Sequence, residues 1–278
     1  MTQAEPHGNG GSARTDNPLH RRLFRFETGA QSHTGNVRTL NEDSFFVTED
    51  KGSGGAWTIA MVADGMGGHS AGDRASHAIV DHVRSVGIPV SAPDLRARFE
   101  DRINRANEAI LALSRNSDGM TIGSTMAALL TYGRQFACIW SGDSRVYRVR
   151  DHEIEQISRD HTEVQNLIDQ GVLTAEEAKS WPRRNVITQA IGVMSPAPLE
   201  ITQGLVEGED RFVICSDGLT GHVSDPEIHE HVLAYDPQTA CDALVDLTLE
   251  RGALDNVTVL VVRCVPENGQ VTDGARPL

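Results

Sequence analysis

The 278-residue chain holds little that would staple it, span a bilayer or grip a polyanion. Its four cysteines, at 138, 215, 241 and 264, form no C-x-x-C pair, which removes a zinc knuckle. A disulfide framework is not expected in a chain of this size. Cys138, Cys215 and Cys264 lie in apolar runs and read as small core hydrophobes in a reducing cytoplasm. Basic residues are few, with 25 Lys and Arg against 39 Asp and Glu. The net charge of −14 excludes a general nucleic-acid binder and disfavours anionic membranes, both of which need clustered cations. The N-terminus, "MTQAEPHGNGGSARTDNPLHRR", lacks the apolar stretch of a secretory signal and cannot span a membrane. Residues 1–24 read as a disordered tail, 25–266 as one domain and 267–278 as a flexible C-terminal tail, with a monomer expected.

What remains is an ordinary globular composition, 39% hydrophobic and 23% charged. The segments "WTIAMVA", "STMAALLT", "QFACIWSG", "RVYRVR", "RFVICS" and "VTVLVVRC" read as strands, rich in apolar and β-branched residues. Helical spacing follows His69, returns over 94–115 (Leu95, Phe99, Ile103, Ala106, Ile110, Leu113) and again over 237–251. "SRVYRVRDHEIEQIS" reads as a hairpin turning at Asp151-His152. Segment 161–184 stands apart as two short helical pieces joined at Gly171 and stopped by Pro182, with Thr174 as N-cap and Glu177 three residues on. Strands joined by short turns, with helices grouped in pairs, point to an α+β layered fold rather than a parallel βαβ sheet.

In "AMVADGMGGHSAGDRAS" an apolar run meets Asp64 and then a burst of glycine. A dinucleotide fingerprint needs a third glycine that Gly65-Met66-Gly67-Gly68-His69-Ser70 lacks, and an EF-hand needs alternating acidic ligands with a closing Glu. A lone Asp-Gly is usually a turn. The pattern recurs, however, with Asp143 after "CIWSG", Asp217-Gly218 after "FVICS", Asp255 just before "NVTVLVV", and Glu42-Asp43 entering a strand downstream of Arg38. Carboxylates at five strand margins suit a polynuclear Mg²⁺ or Mn²⁺ site, since those ions take oxygen ligands and no His/Cys cluster suggests structural zinc. Ser124, in Gly123-Ser124-Thr125, has no G-x-S-x-G surroundings and precedes a strand, so small residues packed by the acidic cluster explain it better than a nucleophile.

"RTLNEDS", "VADGMGGHSAGDRAS", "GSTMAALL", "SGDSRVYRVRD", "SRDHT", "NVITQAIG", "ICSDGLTGHVSD" and "DNVTVLVV" occur in that order. Together they resemble the metal-dependent serine/threonine protein phosphatases of type 2C, and the compact bacterial members most. The resemblance covers about residues 27–264. It implies a four-layer sandwich of two antiparallel β-sheets flanked by pairs of helices, with 161–184 as a helical flap. It further implies that Asp64 bridges two metals, with the Gly65 carbonyl and Glu42 (through water) completing the second and Asp217 and Asp255 holding the first. Asp143 with Asp217 would hold a weaker third ion, Asp43 would hydrogen-bond metal-held water, and Arg38 would bind the substrate phosphate. Met66 stands where animal members carry a histidine, so a side-chain acid is excluded there; His69 is a candidate helper and His161 a structural residue at the flap.

The implied activity is Mn²⁺- or Mg²⁺-dependent hydrolysis of phosphoserine and phosphothreonine in proteins by a metal-bridging water, opposing a bacterial Ser/Thr kinase. A silent phosphoprotein-binding adaptor is the alternative, and retention of Arg38, Glu42, Asp64, Asp143, Asp217 and Asp255 together argues against it. A phosphatase of phosphoaspartate or a small metabolite is the third reading.

Overall fold

Long apolar runs become strands buried on both faces. The computed structural model describes residues 24–48, 57–68, 71–117 and 120–266. In chain order, β1 (Phe24–His33), β2 (Asp43–Val47) and β3 (Trp57–Met66) precede helices α1 (Ala71–Val83) and α2 (Ala92–Arg115). Then come β4 (Gly123–Ser124), β5 (Met126–Tyr132), β6 (Gln135–Ser141), β7 (Arg145–Arg150), β8 (Glu153–Gln156), and short helices α3 (Glu163–Asp169) and α4 (Ala175–Lys179). The chain closes with β9 (Glu200–Leu205), β10 (Arg211–Cys215), α5 (Asp217–Thr220), α6 (Asp225–Ala234), α7 (Pro237–Glu250) and β11 (Val257–Pro266).

Every named strand pairing is antiparallel. One sheet runs β1-β11-β10-β7-β8; the other runs β2-β3-β5-β6-β9, with β4 on β3. Along β3, Ile59, Met61 and Ala63 pack toward α1 and α2, while Ala60 and Val62 pack toward the opposite sheet. With both faces buried, the alternation of a half-exposed strand is lost and a continuous apolar run results. The inter-sheet layer includes Leu129, Phe212 and Leu260, and the outer layer under α6 and α7 includes Val213, Leu244 and Val261. Phe99, fully buried on α2, illustrates the cohesion: truncation to alanine costs about 3–5 kcal/mol. Two helix pairs thus flank two sheets, the expected four layers.

Ser91 caps α2 by accepting the Asp94 N–H, and Asp236 caps α7 from the residue before Pro237. The Asp151-His152 turn has φ of +49° and +66°, the left-handed pair of a tight hairpin. Thr174 and Glu177 form the capping box expected in the flap. The flap buries only Ala178 from its two helices and closes at a Thr162–Ile187 bridge, slightly beyond the expected end at 184.

Three readings need correction. Phe24, assigned to the tail, is buried in β1 and pairs with Pro266. The strand expected to stop at Asp64 runs on to Met66, because Gly65 and Met66 pair with β4. Helix α6 went unread, since only Ile228 and Val232 of its residues are buried and its apolar stripe is too short to register. The rest of both expected tails lies outside the described residues. All four cysteines are free and buried. No helix among the described residues is long and apolar enough to cross a membrane.

Candidate metal centre

Asp43 and Asp64 face each other across the β2–β3 ladder. Asp64 is held by its backbone: its N–H reaches Thr125 Oγ1 (3.2 Å), and its carbonyl accepts from the Thr125 N–H (2.8 Å) and Ser124 Oγ (2.9 Å). Ser124 is therefore a strut rather than a nucleophile. Its neighbour Thr125 shares a 2.7 Å hydroxyl contact with Ser144, which ties Asp64 to the turn carrying Asp143. In that turn Gly142 has φ +109°, and an added Cβ would stand 2.6 Å from the Thr125 Cβ. Gly65 is equally obligatory, since a Cβ there would lie 2.0 Å from the Gly72 carbonyl oxygen. The first turn of α1 thereby sits directly on Gly65, and the Glu42 carboxylate reaches the same spot, 2.7 Å from where a Cβ on Gly72 would be.

Asp43 is 5% exposed. Its Oδ2 accepts from Thr258 Oγ1 (2.7 Å) and Ser216 Oγ (2.8 Å), while its buried Oδ1 has no partner among the described residues. Ser216 leads into Asp217, the first residue of α5, and Thr258 lies on β11 just past Asp255. Asn256 organises the far side: its Oδ1 accepts the Glu42 N–H (2.8 Å) and its Nδ2 donates to the Thr34 and Leu40 carbonyls (2.8 and 2.9 Å). This lays the 34–42 loop against the Asp255 turn and lets Arg38 Nη2 reach Asp255 Oδ2 at 2.7 Å.

These carboxyls feel one another. Burial first, then Asp217 and Asp255, pushes Asp43 up to about 7 against the pull of the Thr258 and Ser216 hydroxyls. Burial, Asp217 and Asp160 push Asp143 up to about 7. Burial and Asp255 push Asp217 up to about 6, opposed by Arg145 and Arg38. Asp64 rises well above the carboxylate range through burial and then Asp43, Asp217, Asp143 and Asp255. Arg38 rises through its bond to Asp255, with Glu42 and Asp64 contributing further. The fold therefore brings Arg38, Glu42, Asp43, Asp64, Gly65, Asp143, Asp217 and Asp255 into one electrostatic neighbourhood. Among the described residues, no three His, Cys, Asp or Glu side chains are gathered around a single point as they stand. The donor chemistry still fits hard cations: it is all oxygen, the carboxylates repel one another, and Asp43 Oδ1 is a buried acceptor lacking a donor.

His161 is buried beside this cluster. Its Nδ1 accepts the Gly142 N–H (3.1 Å) and its backbone N–H donates to the Gly142 carbonyl (2.9 Å), fastening the flap base to the Asp143 turn. Met66 closes β3 opposite Gly123. His69 lies outside the described residues.

A family model described as protein phosphatase 2C matches residues 31–244. The chain belongs to the protein phosphatase 2C family. Among its relatives, the serine/threonine protein phosphatase PstP of Mycobacterium tuberculosis is 37% identical over 237 residues, covering 85% of this chain and 44% of that protein. This chain thus spans somewhat under half the length of that relative. Protein phosphatase PhpP of Streptococcus pneumoniae is 31% identical over 248 residues, 88% of this chain and all of that protein. The structure of the PstP catalytic domain in complex with two manganese ions superposes with a TM-score of 0.76 at 33% identity, covering 86% of this chain and 98% of that one. The two-sheet, helix-flanked fold is that of the phosphatase 2C family.

Sequence reading placed Ser124 and Thr125 beside the acidic cluster but missed the other residues that hold the carboxylates: Ser216, Asn256 and Thr258. A signal was present, because each lies within three residues of an acidic residue or of its β-partner and can supply a short hydrogen bond. Ser, Thr and Asn are too common beside Asp for that adjacency to have distinguished them.

Proposed function

We propose that this chain is a metal-dependent protein phosphatase that hydrolyses phosphoserine and phosphothreonine in proteins. The observation that carries the reading is Asp43: one oxygen clamped by two hydroxyls, the other buried without a donor among the described residues, amid five further carboxylates with Arg38 at the rim. Asp64, the Gly65 carbonyl, Glu42, Asp217 and Asp255 would hold two Mn²⁺ or Mg²⁺ ions, with Asp143 and Asp217 at a weaker third. When bound, such ions supply the Lewis acidity and water activation that a phosphate monoester requires. Asp43 Oδ1 would accept a hydrogen bond from water held beside Asp64, fixing that water's orientation. Arg38, whose side chain is 52% exposed, would present a planar fork to two phosphate oxygens. Ser216 and Thr258 keep Asp43 from rotating, and Ser124 and Thr125 keep Asp64 in place.

The partners in this reading are a Ser/Thr kinase and its phosphorylated targets, in the cytoplasm. Titration of Mn²⁺ into the metal-stripped chain, with phosphate release from a phosphothreonine peptide as readout, tests it. Turnover should rise with Mn²⁺ and vanish in excess EDTA. Full turnover in EDTA would refute the metal chemistry, and Mn²⁺ binding without phosphate release would leave a phosphoprotein-binding adaptor.

A further inference from the structure

The edge strand β9 of the six-stranded sheet is bare; its Glu200 end pairs with Trp140 near the Asp143 turn, and its Leu205 end lies away from the carboxylates. Trp57 pairs with Tyr132 at that end, and Asp64 lies at the other end of β3, on the order of 20 Å away at ~3.3 Å per strand residue. The Val206 N–H to Arg134 C=O bond (2.8 Å) sets the phase of the β6–β9 ladder, whose register runs from Gln135↔Leu205 to Trp140↔Glu200. In that phase Gly204, Thr202 and Glu200 turn their backbone groups toward β6. Leu205, Gln203 and Ile201 turn theirs outward. Of these outward groups, the Leu205 carbonyl is taken by Arg150 Nη2 at 2.8 Å. The others have no partner among the described residues. Natural sheets guard such edges with Lys, Pro or a covering element, and "EITQGL" contains neither Lys nor Pro.

The side chains of Ile201, Gln203 and Leu205 share one face of β9. Ile139 and Ala137, opposite Ile201 and Gln203, pack toward α1 and α2, so this is the helix-side face. Here a groove of about 400 Å³ opens between the start of α2 (Pro93, Arg96), the β5–β6 hairpin (Thr131, Tyr132) and Gln203 and Leu205. Thr131 is 1% exposed, yet its Oγ1 has no partner. Ile201 and Leu205 are 39% and 58% exposed. Arg134, in the hairpin turn beside Leu205, makes no ion pair among the described residues, whereas Arg96, nearby on α2, is paired with Glu100 at 3.2 Å. In a chain of charge −14, Arg134 is the cation at this corner that no carboxylate among the described residues neutralises.

We propose that β9 is a docking edge for an extended segment of a partner protein, which adds as a further strand with apolar side chains over Ile201 and Leu205 and a carboxylate toward Arg134. The outward backbone groups supply affinity, and the groove and Arg134 supply selection. This proposal is independent of the phosphatase reading, since it rests on the outward edge of β9 and on none of the carboxylates of the candidate centre.

The test uses the full chain and a fluorescein-labelled synthetic peptide of alternating Val and Thr ending in two Glu residues, followed by anisotropy. Saturable binding is expected. Gln203→Pro should weaken it about tenfold, because one outward N–H is lost and a ring stands in the path of the added strand. The β6 ladder does not use that N–H, so the melting temperature should hold. Arg134→Glu should weaken binding and remove its salt dependence, and a peptide N-methylated at alternate residues should not bind. Absence of saturable binding, or equal binding by the Gln203→Pro chain or by the methylated peptide, would overturn the proposal. So would a wild-type dimer that Gln203→Pro converts to monomer in sedimentation, because a second copy would then occupy the edge.

Discussion

Replacing Arg38 with alanine separates a structural role from a substrate-binding one, because the two differ in magnitude. The Arg38–Asp255 pair spans 2.7 Å, but the side chains are 52% and 43% exposed. Solvent screening reduces such a pair to about 0–1 kcal/mol of stability. In a domain of this size that is worth about 2–4 °C of melting temperature at most. A charge-assisted hydrogen bond to a substrate phosphate is worth about 1.5–3 kcal/mol, which translates to a loss of about tenfold to a hundredfold or slightly more in kcat/KM. The assay is steady-state hydrolysis of a phosphothreonine peptide at saturating Mn²⁺, with thermal melting and Mn²⁺ titration on the same sample. Arg38→Ala should lose kcat/KM in that range, melt within a few degrees of wild type and still bind Mn²⁺. Arg38→Lys should fall between, since the charge remains while the fork is lost. An unchanged kcat/KM, or a large fall in melting temperature, would show that Arg38 is a strut for the Asp255 turn.

Asp64→Asn should abolish turnover with an unchanged circular dichroism spectrum, since the Asp64 backbone rather than its carboxylate carries the local hydrogen bonds; an unfolded variant would contradict this. Asp143→Ala should lower turnover and remove one weakly bound Mn²⁺ in calorimetry, and loss of all bound metal would refute its placement. In EDTA, stability should fall as pH rises from about 5 to 7.5. Asp43 and Asp143 titrate near 7 and Asp217 near 6 in the folded chain, against an ordinary 3.8. Folding thus favours the protonated forms, which contribute fully below the unfolded value and are lost as pH climbs through the folded ones. Mn²⁺ should flatten that slope, and a flat melting temperature in EDTA would rule out the shared field. Shortening the 161–184 flap to a tight turn should alter preference among phosphoproteins far more than hydrolysis of p-nitrophenyl phosphate. Equal loss of both in a folded, metal-loaded protein would put the flap in the chemical step.

Much of the layout was legible along the chain. The run "WTIAMVA" declares a strand buried on both faces, and Thr174 with Glu177 declares a capped helix, because each signal lies within a few consecutive residues. The acidic residues at strand margins were legible too, since a carboxylate ending an apolar run is conspicuous wherever the fold later carries it. Helix α6 escaped because two buried residues make no stripe. The end of β3 escaped because Gly65 and Met66 become strand only by pairing with β4.

From the sequence alone follow the residue types of the site, the order of its motifs and the family that order resembles. Only the tertiary structure decided which partners those residues meet. Asp43 receives its hydroxyls from residues 173 and 215 positions away, and Arg38 reaches Asp255 across 217. The same holds for the bare edge: a shift of one residue in the β6–β9 register would exchange the inward and outward backbone groups of Ile201, Gln203 and Leu205. Local pattern records which face of an element is buried. Sheet order and register, set by packing three apolar layers at once, decide what stands opposite it.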